Sequence, residues 1–239
     1  MNHFRQLENK MTRILHIDSS SRPGRSDQKQ HGSHTRRLTA QFMQNWLAKR
    51  PKTEIIYRDV GANPPQPTTG DWVHAAFTKP DDREDWMHKA LHESDQLVDE
   101  LLSADLIVTG VPMYNFGMPA QMKAWVDNIV RVGRTFGFDR SRDGVPYWPM
   151  ITDNKSIVVL SSRGDYGYDK GGRIDHLNFV EGGVFTPLQY IGITDQYGVA
   201  IEYDEFADER TQTSIKLAEQ KVGKLVDQLI AKHDAIKVA

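Results

Sequence analysis

Two kinds of hydrophobic pattern alternate along the chain. Residues 13–18 (RILHID), 54–57 (EIIY), 105–111 (DLIVTGV), 155–161 (KSIVVLS) and 194–201 are short apolar runs, several of them rich in β-branched residues, with the length of buried strands. Between these runs apolar residues recur at helical spacing. Over 34–50, Leu38, Phe42 and Trp46 stand four apart with Leu47 adjacent, and Pro51 ends the pattern. Residues 82–104 carry Leu91, Val98, Leu101 and Leu102 among charged positions. Pro119 suits the first position of a helix whose stripe is Met122, Trp125, Val126 and Ile129. Further helices are predicted around 175–191 and over 208–232, whereas 60–70, with Pro64, Pro65 and Pro67, reads as irregular chain.

Strict alternation of strand and helix predicts an α/β fold with a parallel sheet and helices on both faces, because each parallel crossover needs a dozen or more residues. Five strands point to a doubly wound sheet in the flavodoxin-like order 2-1-3-4-5. Ligands of such sheets lie beyond the carboxyl ends of the strands, where the strand order reverses. The loops that matter are then those after strands one, three and four. Residues 1–11 are polar, lack the apolar stretch of a secretory signal and read as a flexible extension. Residues 12–239 read as one domain with loop excursions near 60–79 and 132–154, and no internal repeat interrupts them.

Composition removes several functions. With 30 Lys and Arg against 32 Asp and Glu, the net charge of −2 gives no field to hold nucleic acid or anionic lipid. Mean hydropathy is −0.57, and no apolar run is long enough to span a membrane, so neither nucleic acid nor membrane is an expected partner. The chain has no cysteine, which excludes thiolate nucleophiles, disulfides and Cys-ligated metal or iron–sulfur centres. Redox chemistry therefore requires a bound cofactor, and the expected location is the cytoplasm.

The three loops carry distinct chemistry. After strand one, Ser19-Ser20-Ser21-Arg22-Pro23-Gly24-Arg25 leads through a polar stretch to Gly32-Ser33-His34-Thr35-Arg36, where a helix begins. Hydroxyls and free N–H groups at a helix start suit a phosphate, although Ser and Thr there are also ordinary helix caps. Neither a P-loop nor a G-x-G-x-x-G fingerprint occurs. After strand three, Pro112-Met113-Tyr114-Asn115-Phe116-Gly117-Met118-Pro119 offers flat apolar contact and one amide, either to edge a heteroaromatic ring or to staple the following helix. After strand four, Ser161-Ser162-Arg163-Gly164-Asp165-Tyr166-Gly167 allows close backbone approach to a ligand at glycine.

Together, Ser20, Gly32-Ser33-His34-Thr35, Pro112-Met113-Tyr114-Asn115-Phe116 before a Gln121-x-Lys123 helix, Ser162-Arg163-Gly164 and the Ile191-Gly192-Ile193-Thr194 turn resemble the FMN-dependent NADH azoreductases, also NADH:quinone oxidoreductases, of the flavodoxin-like superfamily. The resemblance runs from about Thr12 to the C-terminal helix. It implies that Ser20, Ser33, His34 and Thr35 hold the FMN phosphate, that Pro112, Met113, Tyr114, Asn115 and Phe116 border the isoalloxazine, and that Ser162, Arg163 and Gly164 touch its polar edge. Phe136 and Tyr190 become substrate-pocket aromatics. The resemblance further implies a homodimer with each flavin at the subunit interface, and a ping-pong transfer of two electrons from NADH to quinones or azo compounds. The chemistry then lies on flavin N5, so no catalytic side chain is expected. Two departures stand out: the loop between Ser20 and Ser33 is long, making Ser26 a competing phosphate ligand, and Asp165 occupies a position where many members have a second glycine.

A rival reading is a flavodoxin-type FMN electron carrier serving protein partners, against which the near-neutral charge and aromatic insertions argue. A hydrolase is the third reading. Glu84, His88 and His92 share one helix face at metal-ligand spacing, but an ordinary solvated face explains them better. Arg131, Arg134, Arg140 and Arg142 are candidates to pair the 2′-phosphate of NADPH or merely solvate a loop, and the resemblance favours NADH.

Overall fold

The computed structural model describes residues 11–238, so the extension expected at 1–11 lies, but for Met11, outside the described residues. The strands and helices in chain order are β1 (Arg13–Asp18), α1 (His34–Lys49), β2 (Glu54–Asp59), α2 (Gly70–Phe77), α3 (Asp85–Ser103), β3 (Leu106–Pro112), α4 (Ala120–Ile129), β4 (Phe136–Phe138), β5 (Tyr147–Pro149), β6 (Ser156–Ser162), α5 (Val180–Tyr190), β7 (Asp195–Ile201) and α6 (Glu209–Val238).

Five strands form one parallel sheet in the order β2-β1-β3-β6-β7. These are the five strands of the sequence reading. The numbering departs from 2-1-3-4-5 because β4 and β5 intervene and pair with each other as a separate antiparallel hairpin. The strands β3 and β6 are buried at every position, as a sheet covered on both faces requires. Alternate residues serve opposite layers: Leu106, Val108, Val158 and Leu160 pack with α1 and α6, and Ile107, Val111, Ile157 and Val159 with α3, α4 and α5.

Two elements correct the sequence reading. Part of the first excursion is helical: Thr69 caps α2 by accepting from the Trp72 N–H at 3.2 Å, and Ala75, Ala76, Met87 and Leu91 join it to α3. The second excursion holds the β4–β5 hairpin. The long α3 is entered through a short 3-10 turn at Pro80–Asp82, and α5 begins only at Val180, after a separate 3-10 turn at Asp175–Leu177.

Candidate functional site

The carboxyl ends of β1, β3, β6 and β7 lie side by side, with Pro112 opposite Ser162 and Ser162 opposite Ile201. Beyond them opens a cavity of about 410 Å³. Ser20, Arg22, Ser33 and His34 line it from the loop after β1 and the start of α1; Pro112, Met113, Tyr114 and Asn115 from the end of β3 and the loop after it; Ser162 and Gly164 from the end of β6 and the loop after it; and Asp204 and Glu205 from the loop after β7. Nine of the residues expected at the cofactor therefore share one wall.

Each loop is shaped by local physics. Ser33 caps α1, its hydroxyl accepting from the Arg36 N–H at 3.3 Å. The N–H groups of His34, which lines the cavity, and of Thr35 behind it find no acceptor among the described residues, which leaves two donors at the positive end of a helix. The His34 ring is engaged on both sides: Nδ1 lies 2.8 Å from Ser26 Oγ, and Nε2 lies 3.2 Å from Asp204 Oδ1. That contact explains Ser26, which meets the histidine. From α4, Gln121 Nε2 donates to the Ser19 carbonyl at 2.8 Å and to Ser21 Oγ at 2.9 Å, while the Ser21 N–H donates to Tyr114 Oη at 3.2 Å.

The loop after β3 makes a reverse turn in which Tyr114 and Gly117 exchange backbone hydrogen bonds of 2.9 and 3.2 Å. Its central residues, Asn115 and Phe116, both have positive φ, of 49° and 71°. Asn tolerates that region, but a bulky aromatic rarely enters it, so Phe116 stores strain beside the cavity. The surroundings hold it there, since the Phe116 carbonyl accepts from the Phe179 N–H at 2.9 Å.

Five expected residues stand apart from the cavity wall. Thr35 is fully buried, its hydroxyl 2.9 Å from Ser33 Oγ, and so supports the cap. Phe116 points its half-exposed ring outward beside the exposed Phe179. Arg163 is buried against carboxylates: it donates to Asp169 at 2.8 Å, to Glu202 at 3.2 Å and to Glu181 at 2.5 Å. Its burial disfavours the cation, but Glu181 and Asp169 outweigh that cost and push its pKa above the ordinary arginine value. Phe136 and Tyr190 pack on each other at 5.4 Å between centroids and join Tyr147 in an aromatic cluster. Asp165 is turned to Arg173, whose hydrogen bond holds its carboxyl below the usual range.

Asp204 and Glu205 are cavity residues that the sequence reading did not name, and Arg22, which it placed in the loop after strand one without a specific role, lines the cavity with them. Asp204 and Glu205 follow β7, beyond the three loops at which the sequence pattern points, and their backbone N–H groups donate to the carbonyls of Arg163 and Gly164 at 3.1 and 3.2 Å. A methyl group in place of Gly164 would meet the Glu205 side chain, whose exposed end would have to swing aside. Three of the four arginines that are candidates for a 2′-phosphate, all but Arg140, have other tasks. Arg131 is buried on Ser94 and Asp95, Arg134 pairs with Asp95 and Asp99, and Arg142 covers the Trp148 ring. His92 meets Gln96 at 3.1 Å, and no cluster of three or more His, Cys, Asp or Glu able to hold a metal occurs among the described residues.

A doubly wound parallel sheet with a cavity at the reversal of strand order defines a flavodoxin-like α/β protein, and the family model for the flavodoxin-like fold matches residues 12–226. The chain is 41% identical over 221 residues to FMN-dependent NADH:quinone oxidoreductase 2 of Colwellia psychrerythraea, covering 92% of this chain and 100% of the relative. It is 40% identical over 219 residues to the enzyme of the same name from Idiomarina loihiensis, covering 92% and 91%. The crystal structure of an azoreductase from Bacillus anthracis shares the fold, with a TM-score of 0.78 at 21% identity over 91% of this chain and 100% of that one. The chain belongs to the flavodoxin-like family of FMN-dependent NADH:quinone oxidoreductases.

Proposed function

We propose that this protein is an FMN-dependent oxidoreductase that passes two electrons from NADH, through the bound flavin, to quinones or azo compounds. The observation that carries the reading is the convergence of three loops on one cavity whose donors match a phosphorylated flat ring. Unpartnered N–H groups at the start of α1 suit a phosphate, and Met113, Tyr114 and the Asn115 amide suit a heteroaromatic edge. The names of the Colwellia and Idiomarina relatives support it.

FMN, when bound, supplies the two-electron chemistry. The chain's residues bind and orient. Ser20, Ser33 and the His34 and Thr35 N–H groups hold the phosphate end, Pro112 to Asn115 flank the ring, and Ser162 and Gly164 meet its polar edge. Phe116 reaches outward to a neighbouring subunit, with which we assign the protein to a homodimer, and Phe136 and Tyr190 wall the approach of the acceptor. NADH is an intracellular donor, so the activity belongs in the cytoplasm.

The test is the visible spectrum of the FMN-loaded protein, recorded anaerobically before and after one equivalent of NADH, with menadione added last. Bleaching of the yellow band by NADH and its return with quinone are expected. A flavin that binds but is not bleached points to an electron carrier, and a protein that never retains FMN removes the reading.

A further inference from the structure

Four arginines stand on the loop after β1 and the first turn of α1, and three are committed to carboxylates: Arg25 to Asp27, Arg36 to Asp59 and Asp18, and Arg37 to Glu219. Arg22 makes no ion pair among the described residues, and it lines the cavity beside Ser20, Ser33 and His34. A phosphate at the start of α1 has need of it. The carboxylates of Asp204 and Glu205 line the same cavity, and the His34 ring is already engaged by Ser26 and Asp204. A dianion placed there without a compensating cation is repelled.

The backbone carrying Arg22 is held by another arginine. Arg36 Nη2 donates to the Ser20 carbonyl at 2.9 Å and its Nε to the Arg22 carbonyl at 3.1 Å, so one planar guanidinium fastens the chain on both sides of Ser21. Nη1 and Nη2 also donate to Asp59 at 2.8 and 2.7 Å, Nη1 reaches Tyr57 Oη at 3.2 Å, and the side chain is almost wholly buried. The Arg22 N–H in turn donates to Ser20 Oγ at 3.2 Å. Gly61 closes the packing, because a methyl group there would overlap the Ser20 carbonyl that Arg36 holds.

We propose that Arg22 is the cationic ligand of the FMN phosphate and that Arg36 is the positioning residue that aims it by fixing the carbonyls of Ser20 and Arg22. The inference rests on the reading of this cavity as an FMN site. FMN and riboflavin differ by the phosphate alone, so the ratio of their affinities isolates this contact. A hydrogen bond to a charged group contributes about 1.5–3 kcal/mol, which corresponds to a loss of about 10- to 150-fold in affinity. Titration of the apoprotein with each flavin, followed by quenching of flavin fluorescence, reads it directly. Arg22→Gln is expected to weaken FMN by that factor, to leave riboflavin within about twofold, and to flatten the dependence of FMN binding on salt.

Arg36→Lys keeps the charge but loses the fork, and is expected to lower the FMN to riboflavin ratio as well. In the Arg22→Gln background the same substitution is expected to add little, because both act on one contact. Additive losses in the double variant overturn the positioning role. If wild type prefers FMN and Arg22→Gln leaves that preference unchanged, or weakens both flavins equally, the proposal for Arg22 is wrong while the flavin reading stands. If wild type binds neither flavin, the reading itself falls and the proposal with it.

Discussion

At the scale of single residues, Arg163 separates what a motif marks from what its side chain does. The Ser162-Arg163-Gly164 run is legible as a loop at the ligand edge, and Ser162 and Gly164 do line the cavity. The arginine's destination is not legible, because Glu181 and Glu202 lie 18 and 39 residues further along the chain. Folding alone brings them together. Glu202 also accepts from the N–H groups of Gly167 and Tyr168 at 3.1 and 3.0 Å, so the cluster ties the loop after β6 to α5 and to the end of β7. Replacing Arg163 by Met keeps much of the packing volume but leaves Glu181 and Glu202 facing each other without a cation. Removing one partner of a buried ion pair costs about 3–5 kcal/mol, and urea unfolding of the apoprotein should report a loss in that range. A loss below about 1 kcal/mol would mean that the cluster is solvated and that the arginine is free to serve the cavity.

At the scale of elements, the five strands of the sheet were legible to within two residues at each end because each is built on a short apolar stretch between polar chain. The additions were not. The helix α2 has eight residues, and β4 and β5 have three residues each, too short for periodicity to register. What fixes the hairpin excursion to the body of the protein is the turn between α5 and β7. Gly192 has a φ of 114°, and the Ile191 carbonyl accepts from the Ile151 N–H at 3.1 Å. A side chain at Gly192 meets a double obstacle, since its backbone conformation is almost exclusive to glycine and its Cβ would overlap the Ile151 carbonyl. Gly192→Ala is therefore expected to destabilise by about 1–3 kcal/mol and to loosen the chain leading back from β5. Hydrogen exchange at Ile151 provides the check: its amide should lose protection in the variant more than amides of β3 do. Equal loss at both sites would mean that the turn affects global stability alone.

At the scale of the whole molecule, large apolar side chains remain exposed around the site. Phe179 is 60% exposed and Phe116 46%, and the two are joined by a backbone hydrogen bond at one end of α5, while Tyr190 at the other end is 42% exposed beside Tyr147. Loops of this kind supply the aromatic anchors of protein interfaces. The strain at Phe116 argues the same way, because a conformation costing about 1–3 kcal/mol is explained if the outward ring has something to bind. In a two-fold symmetric dimer every substitution is made twice. An anchor contributing about 2 kcal/mol per copy then shifts the dimer dissociation constant by about 1,000-fold. Sedimentation velocity should find wild type at twice the chain mass at micromolar concentration, and Phe179→Asp largely at the chain mass. If each flavin sits at the subunit boundary, the monomeric variant should also retain FMN less well, although Phe179 does not line the cavity. A wild-type protein that sediments as a monomer with full FMN affinity would leave these rings without a partner and confine the site to one subunit.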